Sequence, residues 1–235
     1  MPLSWVNFSA ILRPMSLIFD PQNPFPRVAL ENYDYSQAKV HSEEVDRWLG
    51  FEIEKVETII LANRQAESSP GRWHGLPAQT LLTPYIEIRL MLELCKPFPG
   101  QTVIDLGCAY ARMAHVIHRH FLDLHFLGFE IEWERFQEAQ RVLKNLKNPQ
   151  LQVSQKNVAE MGEGIPNGDV YFIYDYGTQR EIQGTIEQLK TIARQKRMTV
   201  IGRGRATRHQ IQTFHPWLAE VNPPIHTQTF SIYRS

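Results

Sequence analysis

Two carboxylates flank the stretch of the sequence with the clearest chemistry. Asp105 is followed by Gly107 and a run of small residues, and Glu130 ends an apolar run over 126–129. A glycine-containing turn lets the backbone approach a ligand closely, and a carboxylate at the tip of a neighbouring strand can accept hydrogen bonds from both hydroxyls of a ribose. In dinucleotide-binding folds that acid lies roughly 20 residues past the loop. The spacing therefore predicts a nucleoside-binding site.

One β-α-β unit is predicted to position these groups. Val103 and Ile104 are typical of a strand buried on both faces, and residues 111–121 carry apolar side chains at helical spacing. A second strand follows and ends at Glu130. The loop after the first strand then lies at the carboxyl end of the sheet, where open α/β sheets bind ligands.

The same stretch resembles the class I S-adenosylmethionine-dependent methyltransferases. The run Asp105-Leu106-Gly107-Cys108-Ala109-Tyr110-Ala111 matches the family's acid-x-Gly-x-Gly-x-Gly loop, and Glu130 matches its ribose-binding acid. The resemblance covers Leu82 to the C-terminus, and the segment before the loop has a weaker similarity to DOT1-like methyltransferases. It implies an α/β, Rossmann-like fold: a seven-stranded, mostly parallel sheet with helices on both faces, plus an N-terminal extension.

The resemblance also implies a cofactor, S-adenosyl-L-methionine, with S-adenosyl-L-homocysteine as the product. The loop would contact the methionine part, Glu130 the ribose, and Asn157 the adenine, although Asn157 also suits an ordinary turn. The residues implied to bind the cofactor are Thr83, Tyr85, Asp105, Gly107, Cys108, Ala109, Tyr110, Ala111, Glu130, Ile131, Asn157 and Val158.

Two departures from the loop pattern keep other functions open. Alanine replaces the second and third glycines, and a positive φ at Ala109 would cost roughly 1–2 kcal/mol. Tyr110 adds bulk beside it. A non-catalytic protein that keeps the fold as a binding module is therefore a second hypothesis. A third, an NAD(P)-dependent oxidoreductase, requires Gly-x-Gly-x-x-Gly, and its last glycine position is Arg112.

Asp175 and Tyr176 are the candidate catalytic residues. They follow an apolar run over 169–175, where the resemblance implies a motif that faces the transferred methyl group. Asp175 could orient or deprotonate an N or O nucleophile of a protein or small-molecule acceptor, and Tyr176 could wall the methyl group. The alternative is that Asp175 only caps a helix beginning near Gln179. The DNA-methylating Asp/Asn-Pro-Pro-Tyr/Phe motif is not present in this sequence.

The amino-acid composition limits the classes of binding partner that this chain is expected to have. Lys plus Arg and Asp plus Glu each number 25, so the net charge is +0, which argues against a dominant nucleic-acid footprint. Cys95 and Cys108 lack metal-site spacing and indicate a reducing compartment, so we expect a cytoplasmic protein without a metal site. No apolar run is long enough for a membrane span, and the N-terminus does not have the features of a signal peptide.

We divide the chain into residues 1–78, an irregular arm with one long helix from Ser42 to about Asn63, and residues 79–235, the α/β domain. Thr83-Pro84 is a typical helix start. The last two strands are predicted over 217–221 and 228–233.

Two groups of basic residues have open interpretations. Histidines 115, 118, 120 and 125 are interpreted as a solvent-facing helix surface rather than metal ligands. Arg203, Arg205 and Arg208 are interpreted either as a solvated loop or as a site that captures a substrate phosphate or carboxylate.

Overall fold

The computed structural model describes residues 17–66, 77–161 and 164–235. Seven strands form one sheet in the order β3-β2-β1-β4-β5-β7-β6. The first five are parallel to one another, β7 pairs antiparallel with β5, and β6 pairs antiparallel with β7. This confirms the predicted mostly parallel α/β fold. The strands are β1 Thr102–Leu106, β2 His125–Glu130, β3 Leu151–Gln155, β4 Val170–Tyr174, β5 Thr199–Arg203, β6 Ile225–His226 and β7 Phe230–Arg234.

Eight α-helices accompany the sheet in the described ranges. Side chains alternate between the two faces along each strand, so Val103 packs in one layer and Ile104 in the other. The first layer includes α4 and α5, and the second includes α7 and α8. The helices are α1 Tyr35–Leu49, α2 Ile53–Ala66, α3 Ala78–Leu81, α4 Tyr85–Cys95, α5 Arg112–His120, α6 Trp133–Leu143, α7 Gln179–Ala193 and α8 Arg205–Phe214.

The extension contains two helices where one was predicted. Asp34 caps α1 by accepting a hydrogen bond from the Gln37 N–H, so the helix begins well before Ser42. Gly50, at φ +82°, ends α1 in the left-handed conformation that glycine adopts without strain, and α2 follows in a new direction. Ser42 instead lies within α1 and accepts a hydrogen bond from the Tyr85 N–H. The prediction of one helix from Ser42 was wrong because Gly50 interrupts an otherwise continuous apolar pattern.

A buried ion pair joins the extension to the α/β domain. The guanidinium of Arg112, at the start of α5, contacts both carboxylate oxygens of Asp46 in α1, and both side chains are nearly fully buried. Tyr85 donates its hydroxyl hydrogen to the same carboxylate at 2.8 Å. The predictions for residues 1–16 and for the loop at 67–76 lie outside the described residues.

The C-terminal region differs from the prediction in two places. Trp217 lies in a short 3-10 turn, Pro216–Leu218, because a proline begins that turn, and the last two strands are β6 and β7. The run predicted as a basic loop contains helix α8. Within it Arg203 is not a solvated side chain, because it is buried and makes two hydrogen bonds of 3.1 Å to Glu87.

Two further findings concern metals and membranes. No group of three or more His, Cys, Asp or Glu side chains in the described ranges could hold a metal ion. His115 is buried rather than solvent-facing, and burial lowers its pKa to about 3, so it remains neutral. Among the helices described, none has the length and apolar composition needed to cross a bilayer.

Candidate functional site

The loop between β1 and α5 has the backbone that its glycine pattern predicted. The N–H groups of Gly107 and Cys108 both donate to the Phe129 carbonyl of β2, at 3.0 and 2.8 Å. Ala109 and Ala111 both adopt positive φ, +47° and +55°, in the left-handed region. The loop therefore keeps the conformation expected of glycine and carries a steric cost at two alanines.

Glu130 is fixed at the tip of β2, across from this loop. One carboxylate oxygen accepts the Ala109 N–H at 2.8 Å, and the other accepts the Glu132 N–H at 2.8 Å. The side chain is buried, and this burial raises its pKa, with Arg135 acting in the opposite direction. A carboxylate has about four lone-pair positions, so Glu130 retains capacity for two further donors.

Tyr110 points away from the space between the loop and Glu130. Its ring packs in a cluster with Phe51 and Leu82, and its hydroxyl donates to Glu57 of α2 at 2.7 Å. Glu57 also accepts two hydrogen bonds of 2.8 Å from Arg135 of α6. The Tyr110 side chain therefore packs against the extension and does not fill the space beside Glu130. Sequence reasoning did not identify Glu57, because its partners are distant along the chain.

An open cavity of about 200 Å³ lies at the carboxyl ends of β1, β2 and β4. The loop and Glu130 line it, together with residues after β3 and β4 and part of α3. Arg135 and Lys156 also line it and were not predicted. The predicted residues that line this cavity are Gly107, Ala109, Glu130, Ile131, Asn157, Val158, Asp175 and Tyr176. We call it the nucleoside cavity, after the ligand that the sequence predicts for this position.

A second, smaller cavity of about 30 Å³ shares Gly107 and Ala109 with the first and is also lined by Thr83, Asp105 and Cys108. One carboxylate oxygen of Asp105 is buried there without a hydrogen-bond partner in the described structure. Burial, with a smaller contribution from Glu130, raises the pKa of Asp105 to about 8. A buried polar atom without a partner is costly and is the kind of group that a polar ligand satisfies.

Three predicted residues contribute to neither cavity. The Tyr85 hydroxyl is used by Asp46, so its ring lies within the extension interface rather than near the nucleoside cavity. Tyr110 points to α2. Ala111 is buried, and its N–H donates to the Cys108 carbonyl at 2.8 Å. We therefore assign the last two to shaping the loop.

Asn157 lies in a turn and also borders the nucleoside cavity. Its side-chain oxygen accepts the Ala159 N–H at 3.1 Å and caps a short 3-10 helix, Val158–Glu160. It also lines the nucleoside cavity. Among the described residues the amide NH2 group donates no hydrogen bond and is available as a donor.

Asp175 caps a helix other than the one predicted. Its carboxylate accepts hydrogen bonds from the first turn of α8: the Thr207 N–H and hydroxyl at 2.8 Å each and the Ala206 N–H at 3.3 Å. Helix α7 is instead capped by Thr178. Asp175 also has a positive φ of +30°, an uncommon value for a non-glycine residue that marks local strain.

Tyr176 forms the wall opposite the loop. A Cβ atom at Gly107 would lie 2.6 Å from the Tyr176 Cβ, so only glycine fits at position 107. The Tyr176 hydroxyl hydrogen-bonds to Thr185 of α7. The ring is therefore fixed between the loop and α7 and borders the nucleoside cavity.

Comparisons with known proteins agree with this architecture. No protein-family model matches the sequence, and a search of curated proteins finds no relative. The structure of precorrin-6y C5,15-methyltransferase from Geobacter metallireducens GS-15 is similar over 68% of this chain and 91% of its own, with 12% identity and a TM-score of 0.51. This similarity identifies the fold as that of class I methyltransferases, and at this identity it shows the fold alone.

Two other similar structures contain cofactor or product. An RNA methyltransferase from Salinibacter ruber, in complex with S-adenosyl-L-homocysteine, matches over 65% of this chain and 91% of its own, with 18% identity and a TM-score of 0.46. Magnesium protoporphyrin IX methyltransferase from Synechocystis PCC 6803, with bound S-adenosylmethionine, matches over 76% of this chain and 95% of its own, with 15% identity and a TM-score of 0.46.

Proposed function

We propose that this chain, which has the class I methyltransferase fold, binds S-adenosylmethionine and transfers its methyl group to an N or O nucleophile of an acceptor. The observation that supports this most directly is the position of Glu130. Its carboxylate is fixed by two backbone N–H groups, retains acceptor capacity and lines the cavity next to the loop. That is the arrangement needed to hold both hydroxyls of a ribose.

The remaining residues fit the rest of such a cofactor. The free NH2 group of Asn157 is suited to an adenine acceptor nitrogen. Asp105 and Thr83 line the smaller cavity, where the partnerless carboxylate oxygen of Asp105 fits a cationic group such as an amino acid ammonium. When bound, the cofactor supplies an electrophilic methyl group on a sulfonium. The protein must then mainly align the nucleophile, and positioning alone lowers such barriers substantially.

Asp175 and Tyr176 remain our proposed catalytic residues. One Asp175 oxygen accepts only a single long hydrogen bond, 3.3 Å from Ala206, and so can accept another from an amine or hydroxyl. Tyr176, held by Thr185, would border the reacting methyl group. In this proposal Asp175 orients or deprotonates the nucleophile, and Tyr176 positions the methyl group.

A non-catalytic binding module is the second candidate. The observation that favours it is the strain at the loop, because left-handed alanines are retained where glycine would relieve the cost. An NAD(P)-dependent oxidoreductase is disfavoured. The position where its third glycine would stand is Arg112, whose long side chain is buried in the ion pair with Asp46.

Calorimetry with S-adenosylmethionine and with NAD tests these alternatives. We expect wild type to bind the methyl donor and not NAD, and Glu130→Ala to weaken binding at least about tenfold, because two charge-assisted hydrogen bonds are lost. Glu130→Gln removes the negative charge of this side chain without creating a cavity, so it tests the contribution of the charge to binding. Glu220→Gln is the control, because Glu220 is exposed and lines neither cavity. Equal affinity in all variants would contradict the assignment of Glu130.

Transfer is tested separately from binding. The wild-type chain is incubated with methyl-labelled donor and with protein, RNA and small-molecule fractions of a cell extract. If one fraction becomes labelled with wild type but not with the Asp175→Asn and Glu130→Gln variants, the chain is an enzyme and that fraction identifies the class of its acceptor. Donor binding without transfer to any fraction supports the non-catalytic module.

A further inference from the structure

A third, larger depression adjoins the nucleoside cavity. It is an open groove of about 880 Å³ along the first turns of α8, and it includes Arg205, Arg208 and His209. Tyr174 and Asp175 line both this groove and the nucleoside cavity. The groove and the cavity therefore meet at these two residues. We call this depression the acceptor groove.

The acceptor groove carries an uncompensated positive charge. Arg205 is exposed, and neither Arg205 nor Arg208 forms an ion pair with any carboxylate in the described ranges. Most other arginines around the site are neutralised, as Arg203 is by Glu87 and Arg135 by Glu57. The two groove arginines differ from these in lacking a counter-charge.

The one acid that lines the groove does not supply that counter-charge. Asp175 directs its carboxylate to the first turn of α8, where Ala206 and Thr207 donate to it. A Cβ atom at Gly204 would lie 2.2 Å from this carboxylate, so the chain uses glycine there to admit it. The negative charge of Asp175 is thus compensated by the positive end of the helix.

Arg208 is held in place rather than free in solvent. Its guanidinium donates to the carbonyls of Gln228 and Thr227, at 2.9 and 3.1 Å, in the turn between β6 and β7. A guanidinium has five N–H donors, so several remain for a ligand. Because the carbonyls fix the orientation of this side chain, less side-chain entropy is lost when it binds an anion.

From this groove we infer that the methyl acceptor is a small molecule with a carboxylate or phosphate group, which Arg205 and Arg208 bind while its nucleophile reaches the nucleoside cavity past Tyr174 and Asp175. The inference rests on the proposed function. Two cations match one or two anionic groups, whereas a polynucleotide needs an extended basic track. The net charge of +0 agrees with a local anion site rather than such a track.

The groove is tested without the acceptor by using inorganic phosphate and acetate as probes. Each is titrated into the 15N-labelled full chain at constant ionic strength, with chloride as the reference anion, and binding is followed by amide chemical shifts. We expect saturable binding of at least one probe, weakened about tenfold or more in Arg205→Gln with Arg208→Gln. Arg197→Gln, an exposed arginine away from the groove, is the control.

Affinity for S-adenosylmethionine is measured on the same variants. It should change less than about twofold, because neither arginine lines the nucleoside cavity. If wild type does not bind the methyl donor, the proposed function fails while the anion titration still reports on the groove. Anion binding that is equal in all variants, or equal to that of chloride, overturns the anion site.

The source of the anionic group is identified with the small-molecule fraction of an extract and methyl-labelled donor. A labelled product that binds an anion exchanger supports the inference. Loss of labelling after phosphatase treatment of the fraction indicates a phosphate, and unchanged labelling indicates a carboxylate. A neutral or cationic product, labelling of RNA or protein alone, or undiminished labelling by the double arginine variant overturns it.

Discussion

Two alanines of the loop adopt a backbone conformation that their side chains disfavour. Ala109 and Ala111 lie in the left-handed region, at φ +47° and +55°, where glycine is the usual residue. Such conformations persist only where the surroundings impose them. Here the Glu130 carboxylate binds the Ala109 N–H, and the intervening Tyr110 is anchored in a buried cluster.

Replacing Ala109 by glycine should therefore not destabilise the protein. Relief of roughly 1–2 kcal/mol of strain is partly offset by about 0.5–1 kcal/mol of extra unfolded-state entropy, so we expect a change between zero and about 1.5 kcal/mol of stabilisation. The measurement is urea unfolding. Ala62→Gly, at an exposed position of α2, is the matched control and should cost about 1 kcal/mol. Comparable losses in both variants would contradict the strain.

Asp105 should make the stability of the ligand-free protein depend on pH. Its pKa is raised to about 8, so the folded state keeps a proton that the unfolded state releases above about pH 4. The free energy of unfolding should then fall as pH rises from about 4 to about 8, by up to about 1.4 kcal/mol per pH unit. Urea unfolding across this range checks it, and Asp105→Asn should lose this part of the slope. Parallel pH profiles would refute the assignment.

Among the secondary-structure elements, helix α2 connects the extension to the loop. Its Glu57 binds the Tyr110 hydroxyl and the Arg135 guanidinium, so one carboxylate joins α2, α6 and the loop. Arg135 and Glu57 are mostly buried, with 12% and 20% of their side chains exposed. A pair at this depth is screened less than a surface pair.

We expect Glu57→Gln to destabilise the protein by about 2 kcal/mol and to weaken binding of S-adenosylmethionine, because Arg135 also lines the nucleoside cavity. Urea unfolding and calorimetry provide the two readouts. Lys55→Gln removes an exposed ion pair on the same helix and should cost no more than about 0.5 kcal/mol. If the two substitutions cost the same, Glu57 does not act as a buried link.

The local pattern of the sequence predicted most of the elements but not their ends or their distant partners. The strand–loop–helix of residues 102–120 follows from apolar periodicity and small residues, which are local signals. Gly50 was missed because the apolar pattern continues on both sides of it. Helix α8 was missed because its start, Gly204 and Arg205, is typical of a loop, and its cap is Asp175 of another strand. The direction of Tyr110 depends on Glu57, which no local pattern reveals.

For the whole molecule, the extension is part of the folded core rather than an appendage. The ion pair between Asp46 and Arg112 is almost completely buried, with 6% and 4% of the side chains exposed. Tyr85 and Gln79 hydrogen-bond to the same carboxylate. We placed a boundary near residue 78, and this pair crosses it, so the two parts should not be stable apart.

Asp46→Ala tests this dependence. It leaves the Arg112 charge buried without a partner, and we expect a loss of about 3–5 kcal/mol, which is a large share of the stability of an ordinary domain. A fragment of residues 79–235 should fail to fold for the same reason, as judged by circular dichroism and size-exclusion chromatography. Asp34→Ala removes only the α1 cap and should cost about 1 kcal/mol. A folded fragment would show that the extension is dispensable.

The anchoring of Tyr110 has a consequence for how binding at the nucleoside cavity could be lost. The ring lies between two strained alanines, so the contact that fixes it to α2 also prevents the turn from relaxing. Once that contact is removed, we expect Ala109 to relax towards an ordinary φ and Glu130 to lose the N–H that orients its carboxylate. A substitution on the far side of an aromatic ring, touching no part of a bound nucleoside, should then weaken binding through the orientation of the acid alone.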